Sequence, residues 1–370
     1  MKLSIDSTVL ADAVGWAAHA LPNRPSVPVL AGLLLDAGAD GLTLSAFDYD
    51  TSRRTTVSAD VSEPGRVLLP GRILAEVVKA LPGGRPVDLV LSGTEVAITC
   101  GSSEFVLLTM PVEDYPKLPE LPEEVGSVDA VDLAAAVAQV VRATSKDDTL
   151  PMLMGIRVDI TGDGLTLAAT DRYRLVSRDL TWEPTLDEGA DHGVMIPGRL
   201  LHDITRSLPS VHRGVALHLS EQLAAVSCEG RTTTVRLLED QFIDYKTRLG
   251  EQDYTIWAEV DVAELAAAVK RVALLAERST PVRLTFGHGL VTVEAGGSDL
   301  GRASEVVAAD LDGAELQIAF NPPYLLDGLA GVEGKRARIG MQTPIRPGLI
   351  VGTVDDPDYR YLIMPIRLSS

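Results

Sequence analysis

The segment ATDRYRL sets the carboxylate of Asp171 beside the guanidinium groups of Arg172 and Arg174. Such a trio could steady a charged transition state, but no nucleophile or metal partner accompanies it. The 6 histidines show no ligand spacing, and the chain carries no GxxxxGK[ST], HExxH, paired CxxC or GxSxG pattern. No catalytic, metal or cofactor chemistry is expected. Phosphate contact is the chemistry that the spacing does offer. Residues seven apart lie nearly on one line of a helix. Arg72 with Lys79, and Arg199 with Arg206, recur at that spacing in two similar segments. Arg24, Arg142 and Arg278 follow or end other helical segments. A net charge of −19 opposes nucleic acid as a partner unless these positions share one surface, where they would suit a sequence-blind contact.

The elements that must position these residues come in three copies. Helical segments start at Ser7, Asp132 and Asp261, with apolar residues such as Leu10, Ala13, Val14 and Ala17 at helical spacing. Asp261 with Glu264 reads as a capping box with an acidic cap. A second helix follows a Pro-containing turn in LLPGRILAEVVKALPG, MIPGRLLHDITRSLPS and IAFNPPYLLDGLAGV. Strand-turn-strand segments start at Leu42, Leu165 and Val291, and their alternation marks half-buried antiparallel strands. Closing strands follow in FVLLTM, TVRLLE and YRYLIMPIRL, so the apolar C-terminus is the third copy of a strand. Linkers rich in Pro and Glu near residue 120, and LGEQDYT near residue 250, separate the copies. The expected fold is α+β, with three pseudo-repeated domains at 1–120, 127–249 and 254–370. Cys100 and Cys228 sit in strand-like stretches as small buried hydrophobes. No apolar run approaches the roughly 18 residues of a membrane span. The N-terminus has no signal-peptide core, so a cytoplasmic, nucleoid-associated protein without a membrane partner is expected.

LAATDRYRLVSRDL, RLLEDQFIDYKTRL and the terminal YLIMPIRL together resemble the bacterial sliding clamp family, the β subunit of DNA polymerase III, and the likeness covers essentially the whole chain. The residue usage looks actinobacterial. The resemblance implies a head-to-tail homodimer, a six-domain ring with helices inside and sheets outside. Double-stranded DNA threads the hole without base readout. It further implies a non-catalytic processivity factor whose partners are the polymerase III α subunit, the clamp loader, and other polymerases and repair proteins.

The family's partner-peptide groove maps onto Leu153, Thr170, Arg172, Tyr173, Arg174 and Leu175 on one side. On the other it maps onto Ile243, Thr247, Arg248, Pro347, Met364, Pro365, Ile366 and Arg367. Its dimer contact maps onto Phe105 and Leu107 against Leu274 and Leu275. Ile243 stands where the family usually has Pro, and Arg248 where it usually has an aliphatic residue. These departures keep a second reading open, a clamp paralogue whose altered groove tolerates a clamp-targeting inhibitor. An unrecognised β-rich enzyme is the reading from a different class.

Overall fold

Caps and apolar stripes explain the helices of the computed structural model, which describes residues 1–147, 149–162, 164–185, 191–239, 241–250, 253–276, 280–297, 301–354 and 357–367. In α1 (Ser7–Ala18) the Asp6 carboxylate accepts the N–H groups of Thr8 and Val9 at 2.8 and 3.2 Å, and Leu10, Ala13, Val14 and Ala17 are buried. Helix α2 (Gly71–Ala80) buries Leu74 and Val78 and leaves Arg72 and Lys79 on its exposed side. Along the chain follow α3 (Ala130–Val140), α4 (Pro151–Met154), α5 (Gly198–Thr205) and α6 (Tyr245–Gly250). Asp261 caps α7 (Val262–Val272) by accepting the Glu264 N–H at 2.9 Å. Asn321 caps α8 (Pro322–Ala330), which opens on proline as a helix readily does. Among the described residues no helix is long and apolar enough to cross a membrane.

The described residues pack as two units. The first takes in those of Met1–Val131, Glu183–Leu186 and Arg206–Leu237. It holds a five-stranded and a nine-stranded antiparallel sheet. Leu3, Leu10, Leu33, Leu44, Leu89 and Ile98 belong to its largest core cluster. The second takes in Asp132–Trp182, Asp187–Thr205 and Leu238–Ser370, and holds a twelve-stranded antiparallel sheet. Packing boundaries therefore do not coincide with repeat boundaries, because strands of neighbouring repeats pair directly.

Two such pairings share one design. Within the first unit, hairpin strand Thr51–Val57 pairs with closing strand Arg231–Arg236, with Ser52 opposite Thr234. Within the second, hairpin strand Arg174–Thr181 pairs with closing strand Tyr359–Ile363, with Leu175 opposite Leu362. The Arg236 N–H donates to the Asp50 carbonyl at 2.8 Å, and the Met364 N–H donates to the Tyr173 carbonyl at 2.8 Å. Each hairpin turns on an aspartate. Asp48 accepts the N–H groups of Asp50 and Thr51, and Asp171 accepts those of Tyr173 and Arg174. Each carries one non-glycine residue in the left-handed region, Tyr49 at φ 77° and Arg172 at φ 79°.

Two further strands, one in each unit, keep an edge wholly or partly without a strand partner among the described residues. Closing strand Ser103–Leu108 ends its sheet, with Glu95–Cys100 as its single neighbour. Hairpin strand Gly301–Asp312 pairs with Gly289–Gly297 along one edge, while its other edge meets Ile256–Asp261 only from Ala309 onward.

Candidate docking groove and basic helices

The two completed junctions have matching backbones and different side chains. Across the first, Phe47, Ser52, Thr234 and Ala225 form one row through the sheet. The hydroxyls of Ser52 and Thr234 bond at 2.5 Å, and Phe47 packs with Leu30 and Tyr115. Across the second, the matching row is Thr170, Leu175, Leu362 and Leu349. There the leucines join Ala168, Tyr245 and Val351 in a buried apolar cluster, with Phe242, Ile243 and Leu249 against it. An apolar floor beside an open rim suits a short peptide, whereas a floor of paired hydroxyls does not.

Of the groove residues expected from sequence, Thr170, Tyr173, Arg174, Leu175, Ile243 and Met364 meet at this junction. Leu153, Thr170, Arg174 and Leu175 are buried, and Ile243, Pro347, Pro365 and Ile366 are half-buried. Arg172, Thr247, Arg248 and Arg367 are exposed, as are Tyr173 at 58% and Met364 at 43%. The Ile366 N–H donates to the Ala319 carbonyl at 2.8 Å, which anchors the tail. Thr170 braces the hairpin. Its hydroxyl donates to the Arg174 carbonyl at 2.7 Å and accepts the Arg172 N–H at 3.2 Å. Thr247 donates its hydroxyl and its N–H to the Asp244 carboxylate, and these bonds hold the Asp244 carboxyl below the usual range. Burial, then the Asp159 carboxylate that accepts its hydroxyl at 2.8 Å, raises the pKa of Tyr245.

Arg174 is held from several sides within the protein. Its guanidinium donates from Nε to Asp171 at 2.9 Å, and from Nη1 to Asp327 at 2.6 Å and the Tyr361 hydroxyl at 3.4 Å. It also lies 4.3 Å from the centre of the Tyr324 ring. Burial alone would lower its pKa, but the Tyr361, Asp327 and Asp171 oxygens outweigh burial and raise it. Its Nε and Nη1 donors are committed inside the protein. Sequence reasoning passed over Asp327, Tyr324 and Tyr361, which carry no motif of their own. The one available signal was Asp171, which needed a buried partner for the two arginines beside it.

The basic positions divide between the units. In the first, Arg72 donates to the Pro22 carbonyl at 3.1 Å and to Asn23 Oδ1 at 2.7 Å, bracing the segment that carries exposed Arg24. Lys79 is exposed in the last turn of α2. Arg206 is exposed one residue past the end of α5. In the second unit a cleft of about 970 Å³ gathers Arg142, Lys146, Arg172, Arg199 and His202 around Tyr173 and Tyr324, whose rings stack 6.3 Å apart. Arg278 lies outside the described residues. Of the expected dimer residues, Leu274 is 82% exposed, Phe105 is 36% exposed, and Leu275 is half-buried. Leu107 leans on its own core, while its neighbours Val106 and Leu108 are 52% and 65% exposed.

Three repeats, joined at two junctions that each pair a closing strand with the hairpin of a neighbouring repeat, define a clamp-type repeat protein. The chain belongs to the DNA polymerase III beta subunit family. Its N-terminal, central and C-terminal domain models match residues 1–119, 127–244 and 249–367. The chain is 46% identical over 381 residues to the beta sliding clamp of Streptomyces coelicolor, covering 100% of both. It is 41% identical over 378 residues to the beta sliding clamp homolog GriR of Streptomyces muensis, covering 99% of both. The DNA polymerase sliding clamp of Bacillus subtilis superposes with a TM-score of 0.93 at 27% identity, covering 100% of both chains.

Proposed function

We propose that two copies of this chain close head to tail into a ring that encircles duplex DNA and tethers a replicative polymerase. One observation carries the reading. Two hairpin-to-closing-strand junctions are made within the chain, and the two halves of a third are left open. A second copy completes both. An exposed strand edge is a liability unless something pairs with it. In matching register, Phe105 takes the place that Tyr361 holds at the second junction, on the helix-facing side of the sheet. Exposed Leu274 stands beside that face, in the turn after α7 that packs along Gly301–Asp312.

Arg24, Arg72, Lys79, Arg142, Arg199 and Arg206 supply weak, salt-sensitive contacts to DNA phosphates, which permit sliding. Topology rather than affinity keeps the ring in place. The groove at the second junction takes the short motifs of the polymerase III α subunit, the clamp loader, and other polymerases and repair proteins. The protein is a non-catalytic subunit and works in the cytoplasm, at the nucleoid. Loading onto nicked circular duplex is the test. Retention on the circle and loss after linearisation are expected, and equal loss from both would end the ring reading. Affinity for a polymerase-tail peptide separates the replicative clamp from a paralogue. A replicative clamp binds that peptide despite Ile243 and Arg248, and a paralogue with an altered groove does not.

A further inference from the structure

Asp327, on α8, is one carboxylate shared by two arginines. Its Oδ2 accepts from Arg174 at 2.6 Å, and its Oδ1 accepts from Arg142 at 3.4 Å. Arg174 is 9% exposed at the side chain, and Arg142 is 40% exposed. The shorter contact is therefore the stronger, and the longer one is the easier to give up. The two arginines do different work. Arg174 closes the turn at Asp171, whose next residues form the groove wall. Tyr173 in that turn accepts the Met364 N–H and stacks on Tyr324. Arg142 lines the basic cleft together with Arg199.

We propose that Asp327 is a positioning residue that couples the two ligands of the ring. A DNA phosphate that takes Arg142 leaves Asp327 to Arg174 alone. The turn from Asp171 to Arg174 then stiffens against Met364, and the groove binds its peptide more tightly. This rests on the reading of the chain as a DNA-encircling clamp with a peptide groove. By linkage, bound peptide strengthens the hold on DNA by the same factor.

The experiment measures the affinity of a fluorescent polymerase-tail peptide for the full-length protein, free and threaded on nicked circular duplex. Threading tightens the peptide about threefold to fivefold, at the low end of measured site-to-site couplings. In Asp327→Asn the ratio falls to one while both ligands still bind, and Asp327→Glu restores part of it. Arg142→Gln imitates the phosphate-occupied state, so it tightens the peptide about threefold without DNA and removes the DNA effect. A purely structural role would not make the loss of a cation strengthen peptide binding. An unchanged peptide affinity on DNA, with both ligands bound, overturns the coupling. A ratio that persists in Asp327→Asn, or an Arg142→Gln variant that binds peptide more weakly, overturns the route through Asp327. Failure of the peptide to bind, or of the circle to retain the protein, overturns instead the reading beneath it.

Discussion

Arg172 shows how a single backbone angle constrains a binding wall. At φ 79° it occupies a region where a side chain with a Cβ is disfavoured, and its counterpart Tyr49 does the same at φ 77°. Glycine meets that demand without strain. Arg172→Gly should leave stability within about 1 kcal/mol of the parent. Arg172→Val should lose about 1–2 kcal/mol, because a β-branched residue tolerates this angle least. Urea unfolding of both variants decides, and equal stability would remove strain as the reason for the preference. A second effect at this scale concerns protons. Burial pushes the Tyr115 hydroxyl up to about 12 from an ordinary value near 10. The folded state then keeps a proton that the unfolded chain releases. Stability is full below pH of about 10 and falls by up to about 1.4 kcal/mol per pH unit until about 12. Denaturant midpoints at pH 9 and 11 test this, and Tyr115→Phe should flatten the fall.

The elements were legible in the sequence wherever burial follows a period. Hairpins starting near Leu42, Leu165 and Val291 and the Pro-led second helices fall where the repeats put them, because a core face imposes alternation on strands and a stripe on helices. Which junction carries a groove was not legible from pattern alone. Ser52 and Leu175 occupy one place in matched backbones, and only the pairing register shows that Thr234 and Leu362 lie opposite them. The Arg174 cluster was hidden for a similar reason, since Asp327 lies far along the chain and meets it only through the fold. This separates two kinds of groove variant. Met364 is 43% exposed on the rim, so Met364→Ala should cost a polymerase-tail peptide about 1–2 kcal/mol by calorimetry and leave the melting temperature unchanged. Leu175 is 5% exposed in the floor, so Leu175→Ala should also destabilise the protein by about 2–5 kcal/mol. Wild-type peptide affinity in both variants would place the groove elsewhere.

At the scale of the whole molecule, the ring proposed above gives the net charge of −19 and the basic helices different ends, the one discouraging DNA on the outside and the other permitting it inside. The geometry of closure is the sharper test. At the first junction Ser52 and Thr234 face each other with hydroxyls 2.5 Å apart, and at the second Leu175 faces Leu362. The hairpin pairings place Arg302 where Ser52 and Leu175 stand, since it lies opposite Gly296 as they lie opposite Phe47 and Thr170. The closing hairpins place Val106 where Thr234 stands, since Ser103 pairs with Cys100 as Arg231 pairs with Cys228. Val106 should therefore lie directly across from Arg302 of the partner subunit. Opposed residues of antiparallel strands have Cα atoms about 4.5–5.5 Å apart, within disulfide reach. Val106→Cys with Arg302→Cys should give, on oxidation, a covalent dimer that survives denaturing electrophoresis. Val106→Cys with Val306→Cys should not, because four residues along a strand is roughly 13 Å. Cys100 and Cys228 are buried and should not interfere. Adding Leu274→Asp to the first pair should abolish the cross-link, because closure would bury an unpaired charge. A cross-link from the displaced pair alone, or none from either pair in a protein that still sediments as a dimer, would mean that the two copies meet in some other register.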